Sequence, residues 1–466
     1  MKSKLIYLVL ILFGLLSGFV LLNYNGTGGS GDSVLHYLYA KYSPAHPELY
    51  FNHWAKPLFT LLSSPFAQFG FTGIKIFNAF ISLLTVFFTY KTAEKLGVKN
   101  AILSALMLIA TPLFFALIFS GLTEPLFALF MATSTFYAVK KQYILAGIII
   151  SFLPFVRSEG LIIMGVFGLY FIFKQQWKAI PYLIFGHVVY SVSGSFVHQD
   201  ILWVFTKIPY AAMNDNYGSG NLNHFVTQLM FVVGVPLYIL IWFGLVALVW
   251  KSIKKTVNLE IRMLVGLAFL TFFIAHSLFW YLGIFNSMGL KRVFLGVAPL
   301  MAIIALIGFN FITENLFKNK KTPKLVLQIL LVAYVLVFPF TSNPAAPKWN
   351  RTLNLSGSQV CALKIAAYFK EHPEHAEKKA RFVFIDPYLS MALDIDHFNP
   401  AVRAELNSYE LEHLKSGDIV IWENWFAVVE RGITKKSLDE NPDLIFMFDS
   451  NVWDNRDIEY GVYLVK

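Results

Sequence analysis

The feature that most restricts the fold is a series of apolar runs too long for a soluble core. The first, 5–22, carries no charge and can cross about 30 Å of hydrocarbon as one helix. Others follow at 73–90, 101–119, 125–139, 143–156, 160–173, 179–197, 228–250, 263–282, 293–313 and 325–341. A bilayer offers no water to backbone polar groups, so such runs fold as helices. Only 14% of the 466 residues are charged, against about 25% in average soluble domains. The expectation is an α-helical polytopic membrane protein with about eleven transmembrane helices. No small-residue cleavage site precedes "NYNGTGGSGD", so the first run reads as an uncleaved anchor. The runs 143–156 and 160–173 are short and meet at "VRSEG". They suit one broken hairpin, because charge at that depth is tolerated where protein or a wet cavity surrounds it.

A net charge of +10 raises nucleic acid as a partner, and the distribution of that charge removes it. Alternate loops hold Lys2 and Lys4, Lys91, Lys95 and Lys99, Lys140 and Lys141, Lys174 and Lys178, Lys251, Lys254, Lys255 and Arg262, and Lys318, Lys320, Lys321 and Lys324. The loops between them hold few cations: Lys41, Lys56, Lys75, Arg157, Lys207, Lys291 and Arg292. Such asymmetry orients a bundle with its lysine-rich side in the cytoplasm. The protein is therefore expected in a plasma membrane, bacterial inner membrane being the natural setting, with membrane lipids and not nucleic acid around it. Residues 23–72, 120–124, 198–227, 284–292 and everything after about 342 would then face outward. The lone Cys361 excludes an intramolecular disulfide.

Two domains are expected, a membrane domain at 1–341 and a soluble extracytoplasmic tail at 342–466. In the tail, "RFVFID", "DIVIWE", "LIFMFD" and "YGVYLV" are short β-rich runs, spaced by helix-like stretches such as "SQVCALKIAAYFKEH". That alternation predicts a small α/β domain, large enough to bury a modest core of its own.

The outward loops carry the chemistry. The first, 23–72, is long for a connection without a domain of its own, and such loops are usually functional. It offers Asp32 directly after a glycine-rich turn, then His36, Glu48, His53 and "WAKP" with Lys56. The second is "FSGLTEP", where Glu124 stands at a helix start before Pro125, a position that also suits a carboxylate for purely structural reasons. In "FVRSEG", Arg157 either pairs with Glu159 or grips a phosphate through its planar fork. "YAAMNDNYGSGNLNHF" adds Asp215 and His224 in a loop rich in Gly, Asn and Ser. Finally Lys291 and Arg292 open a span on the side where cations are disfavoured, which fits either snorkelling to headgroups or phosphate binding. His276, inside a span, reads as a packed, hydrogen-bonded core residue. Zinc-ligand spacing, a glycine-rich phosphate loop and a GxSxG elbow are all absent from the sequence.

An acidic residue just after the first span, a following "KP", "TEP" on the second outward loop, "VRSEG" and the late "GLKRVFLGVAP" together resemble the GT-C superfamily of integral-membrane glycosyltransferases. The dolichyl-phosphate-mannose and aminoarabinose transferase branches are nearest. Many members carry two adjacent acids in the first loop, where this chain has Gly31, Asp32 and Ser33. The resemblance implies a hexosyltransferase that takes sugar from a polyprenyl-phosphate donor and passes it, with inversion, to a hydroxyl of a lipid, glycan or protein acceptor. Asp32 would be the general base, made a better one by partial desolvation at the mouth of a cavity, and Glu124 a second active-site carboxylate. Lys56, Arg157, Arg292 and Lys291 would be candidates for the donor phosphate. His36, Glu48, His53, Asp215 and His224 would be acceptor-side or loop candidates. No cofactor is implied; a divalent metal is compatible with the carboxylates but not expected, because the acidic cluster is thin. Two rival readings share the membrane setting: a polymerase or ligase using diphosphate-linked glycans, and a transporter, which would usually show inverted repeats.

Overall fold

The computed structural model describes residues 2–29, 31–209, 218–316, 320–341, 355–375, 380–453 and 457–466. Among them seven helices are long and apolar enough to cross a membrane: Lys4–Asn23, Gly70–Lys95, Trp177–His198, Val235–Ile253, Ile261–Leu282, Lys291–Leu316 and Lys321–Phe340. The protein is an integral membrane protein, and its helices sort by burial. Ala298 to Asn310 are buried almost without interruption, so Lys291–Leu316 is the axis of the bundle. The first and last long helices instead expose Leu15, Phe19, Leu22, Ile329, Leu330 and Val337, the surface a lipid environment favours.

The other apolar runs are helical but divided, and the dividing residues explain the divisions. The run 101–119 splits into Ile102–Ile109 and Pro112–Ile118 because Thr111, ahead of a proline, is extended at φ −71°, ψ 108°. The run 228–250 splits at Gly234, whose φ of +77° ends His224–Val233 before Pro236 restarts the helix. Tyr143–Ser151 and Gly160–Phe173 form the expected broken hairpin, joined by the turn Leu153–Phe155 and by Arg157 to Glu159. A Cβ on Gly160 would lie 2.6 Å from the Leu153 carbonyl carbon, so only glycine lets the two arms close so tightly.

Ion pairs tie lysine-rich loops to other residues of the same face: Lys99 to Glu314 at 2.7 Å and Lys174 to Glu260 at 2.5 Å.

The tail is a five-stranded mixed sheet in the order β2-β1-β3-β5-β4, with β1 (Phe382–Val383), β2 (Arg403–Ala404), β3 (Ile419–Glu423), β4 (Leu444–Trp453) and β5 (Asp457–Val465). β1 pairs in parallel with β2 and β3, while β5 is antiparallel to β3 and β4. Alternation along β3 sends Val420 and Trp422 into a core internal to the tail. Ile419 and Ile421 enter another core with Cys361, Ile365 and Val462.

The first of these is the tail's own core, as expected; the second is shared. It also contains Val34, Tyr37, Leu38, Ala40, Ala67 and Ile74 of the membrane domain. Polar contacts reinforce the join: Tyr42 Oη donates to the Ile395 carbonyl at 2.9 Å, His46 Nε2 meets Asp396 Oδ2 at 2.8 Å, and Gln359 Nε2 donates to Thr27 Oγ1 at 3.1 Å. The tail is thus seated on the helix Asp32–Tyr42 and fixes its position.

Candidate active site

Two neighbouring loops are locked to each other before any catalytic group enters. Asn78 Nδ2 donates to the Ser120 and Leu122 carbonyls at 2.6 and 3.1 Å. Ser33 Oγ donates to the Thr27 carbonyl at 2.5 Å and accepts from the Gly121 amide at 2.7 Å. A Cβ on Gly121 would sit 2.1 Å from the Ser33 carbonyl oxygen, so this approach requires glycine. Lys75, one of the few cations on this face, donates to the Tyr24 carbonyl at 2.6 Å, which anchors the end of the first helix.

This scaffold places Asp32 at the first turn of Asp32–Tyr42 and Glu124 at the first turn of Glu124–Val139. Between and beside them, two arginines complete a chain of alternating charge drawn from four segments. Glu159 Oε1 accepts from Arg157 Nε at 2.9 Å and lies 2.8 Å from its Nη2. Arg157 Nη1 donates to Glu124 Oε1 at 2.9 Å. The same Oε1 lies 3.4 Å from Arg292 Nε, and Arg292 Nη2 pairs with Asp32 Oδ2. Of the two sequence readings of "VRSEG", the ion pair is present: Arg157 pairs with Glu159, and it extends that pair to Glu124.

The chain borders a cavity of about 560 Å³. Asp32, Lys56, Arg157, Glu159 and Arg292 line it, as do the apolar Leu35, Leu161, Ile162, Phe279 and Met288. Glu124 is fully buried and does not reach the cavity wall. Lys56 takes a left-handed backbone, φ +65°, directly before Pro57 starts the helix Pro57–Ala67; such a conformation is costly for a non-glycine residue and is often found at functional sites. Burial, with Arg157 beside it, pushes the Lys56 ammonium down to about 8, against the pull of Glu159, Asp32 and Glu124.

Asp32 corrects one expectation. Partial desolvation was expected to make it a stronger base, and burial does push its carboxyl up. The Arg292 guanidinium, with Arg157 beyond it, outweighs that and holds it below its usual value. With Arg292 in place, Asp32 is a poor proton acceptor.

The remaining candidates divide. His36 lines the cavity, stacked on Trp54 with ring centroids 5.0 Å apart; burial takes its imidazole down to about 3, so it is neutral. Lys291 does not line the cavity: its ammonium lies 5.5 Å from the centre of the Phe231 ring. Glu48 is exposed and 3.8 Å from His46, and so belongs to the seam with the tail. His53 bonds the Val204 carbonyl at 3.0 Å against Trp203, and His224 bonds the Gly289 carbonyl at 2.9 Å against Trp280. Both brace loops outside the cavity. Asp215 lies outside the described residues. His276 is buried as expected, but it lines the cavity and its Nε2 has no hydrogen-bond partner among the described residues.

The opposite wall was not foreseen. The tail contributes His397, Arg403, Glu405, Phe426, Glu430 and Arg431. Arg403 donates to the Phe384 carbonyl at 3.0 Å and Arg431 pairs with Glu405. The local signal was faint, since β2 is only two residues long. Away from the cavity, His372, Glu374 and His375 form the one group among the described residues whose donor atoms lie close enough to share a metal ion.

No family profile and no curated protein matches the sequence. Solved structures do. ArnT from Cupriavidus metallidurans bound to undecaprenyl phosphate superposes with a TM-score of 0.62 over 98% of this chain and 97% of that one, at 11% identity. The same protein in the apo state gives 0.63 over 99% and 98%, at 10% identity. At such identity the likeness speaks for the fold, and it takes in the membrane bundle and the tail together: the chain has the fold of ArnT.

Proposed function

We propose that this protein is a membrane glycosyltransferase that moves a hexose from a polyprenyl-phosphate carrier to an acceptor hydroxyl on the extracytoplasmic face. The observation that carries the reading is the charge chain Asp32–Arg292–Glu124–Arg157–Glu159 at the edge of a cavity that also has apolar walls. Paired arginines with Lys56 form a cationic place for a phosphate, and the apolar wall suits a lipid-borne substrate. The likeness in fold to ArnT, a protein that binds undecaprenyl phosphate, supports a carrier of this type.

In the reaction, the acceptor oxygen attacks the anomeric carbon from the side opposite the carrier. The bond from that carbon to the phosphate oxygen breaks, and the configuration inverts in one displacement. Asp32 takes the hydroxyl proton, and Arg157, Arg292 and Lys56 hold the charge gathering on the departing phosphate. The charge count stays even: Asp32 loses its negative charge by protonation as the phosphate gains one.

The test uses the purified full-length protein and matched polyprenyl monophosphate and diphosphate lipids as competitors of sugar transfer from lipid extracts. We expect the monophosphate to compete and labelled sugar to reach a hydroxyl acceptor. Competition by the diphosphate alone would overturn the reading in favour of an oligosaccharide polymerase or ligase.

Sidedness has its own test. Cys361 is the only cysteine and is fully buried in the tail. A membrane-impermeant maleimide should label it in intact spheroplasts once mild denaturation opens the tail. Labelling that needs the cytoplasm to be opened would place the tail, and the cavity with it, on the other side.

A further inference from the structure

The two carboxylates that share Arg292 are not equivalent. Asp32 lines the cavity and its side chain is 42% exposed, whereas Glu124 is 0% exposed and off the cavity wall. They also hold different edges of the guanidinium: Asp32 meets Nη2, and Glu124 faces Nε. A ligand arriving in the cavity meets the Asp32 edge. Glu124 cannot yield in the same way. It begins a helix whose N-terminus favours negative charge, and residues 120–122 ahead of it are pinned by Asn78 and Ser33. Its Oε1 serves both arginines, while its Oε2 has no hydrogen-bond partner among the described residues.

We propose that Glu124 is the positioning residue of the phosphate site, not a second catalytic carboxylate: it holds both guanidinia in place while the carrier phosphate takes Arg292 away from Asp32. The proposal rests on the carrier reading above and adds an order to it. Before the carrier binds, Arg292 masks the base. Once the phosphate occupies Nη2, Asp32 is released and Arg292 is neutralised by a different anion, so Asp32 becomes a competent acceptor only after the donor has bound. Arg292 Nε makes no hydrogen bond among the described residues; a small rotation as Asp32 lets go would give it one to Glu124. Donor before acceptor is the binding order this geometry imposes.

The experiment measures binding of undecaprenyl phosphate to the full-length protein in detergent, for wild type, Asp32→Asn, Glu124→Gln and Glu124→Asp. The two carboxylates should act with opposite sign. Asp32→Asn removes the competitor for Arg292 and should tighten binding several-fold. Glu124→Gln loosens both arginines and should weaken it by roughly 10-fold or more, with the donor KM rising more than kcat falls. Glu124→Asp keeps the charge and should recover part of the loss. Asp32→Asn binding that is unchanged or weaker overturns the proposal while leaving the carrier reading intact, as does unchanged binding by Glu124→Gln. Should Glu124→Gln not fold, the Asp32→Asn arm decides alone. Absence of binding by wild type overturns the carrier reading and the proposal together.

Discussion

Asp32→Asn is expected to slow sugar transfer by roughly 10²-fold or more while the protein folds normally and binds the carrier more tightly than wild type. The side chains are nearly isosteric, but the amide cannot take the acceptor proton. Its folding should be little affected because Asp32 is partly exposed, its only ion-pair partner among the described residues is Arg292, and Ser33, its neighbour, carries the loop-to-loop hydrogen bonds. Lost transfer with retained binding separates a base from a binding residue. Transfer at the wild-type rate would put the base elsewhere and leave Asp32 as an ion-pair partner of Arg292.

Arg292→Gln and Arg157→Gln should each weaken carrier binding by roughly 10- to 100-fold, the range for losing a charge-assisted hydrogen bond to phosphate. Lysine at either position should restore only part, since one ammonium cannot reproduce the two-pronged contact. The two arginines should nevertheless differ in stability. Arg157 joins Glu124 and Glu159, so its loss leaves two carboxylates short of a cation, one of them fully buried. Arg292 is shared with the more exposed Asp32, so Arg292→Gln should lower the melting temperature less. Unchanged affinity in both glutamine variants would assign the pair to packing.

How far the sequence foretold this follows from how local each signal is. The helix content was legible because a bilayer allows a long apolar run little else, and so was the broken hairpin at "VRSEG"; the breaks before Pro112 and at Gly234 were not, because the apolar runs 101–119 and 228–250 continue through them. The tail strands were legible as β-rich alternation. Asp32, Arg157 and Glu124 stood out because charge beside a span must be accounted for. What stayed hidden was pairing. Asp32 and Arg292 are 260 residues apart, and only the packing of the whole bundle brings them together. Lys291 and Arg292 looked alike in sequence, yet they are adjacent on the tight turn Lys291–Val297, so their side chains leave in different directions and only one reaches the cavity. The tail's place on the cavity wall was hidden for the same reason, because the surface it buries belongs to the first loop. The proton affinity of Asp32 was misjudged because burial was legible and its arginine partner was not.

The most direct test of the account is a structure of the full-length protein with undecaprenyl phosphate. The account predicts phosphate density between Arg157 and Arg292, within reach of Lys56, with Asp32 released from Arg292 and Glu124 still between the two arginines. Phosphate density beside Lys291 and Phe231, or on the lysine-rich face, with the Asp32–Arg292 pair intact, would contradict it.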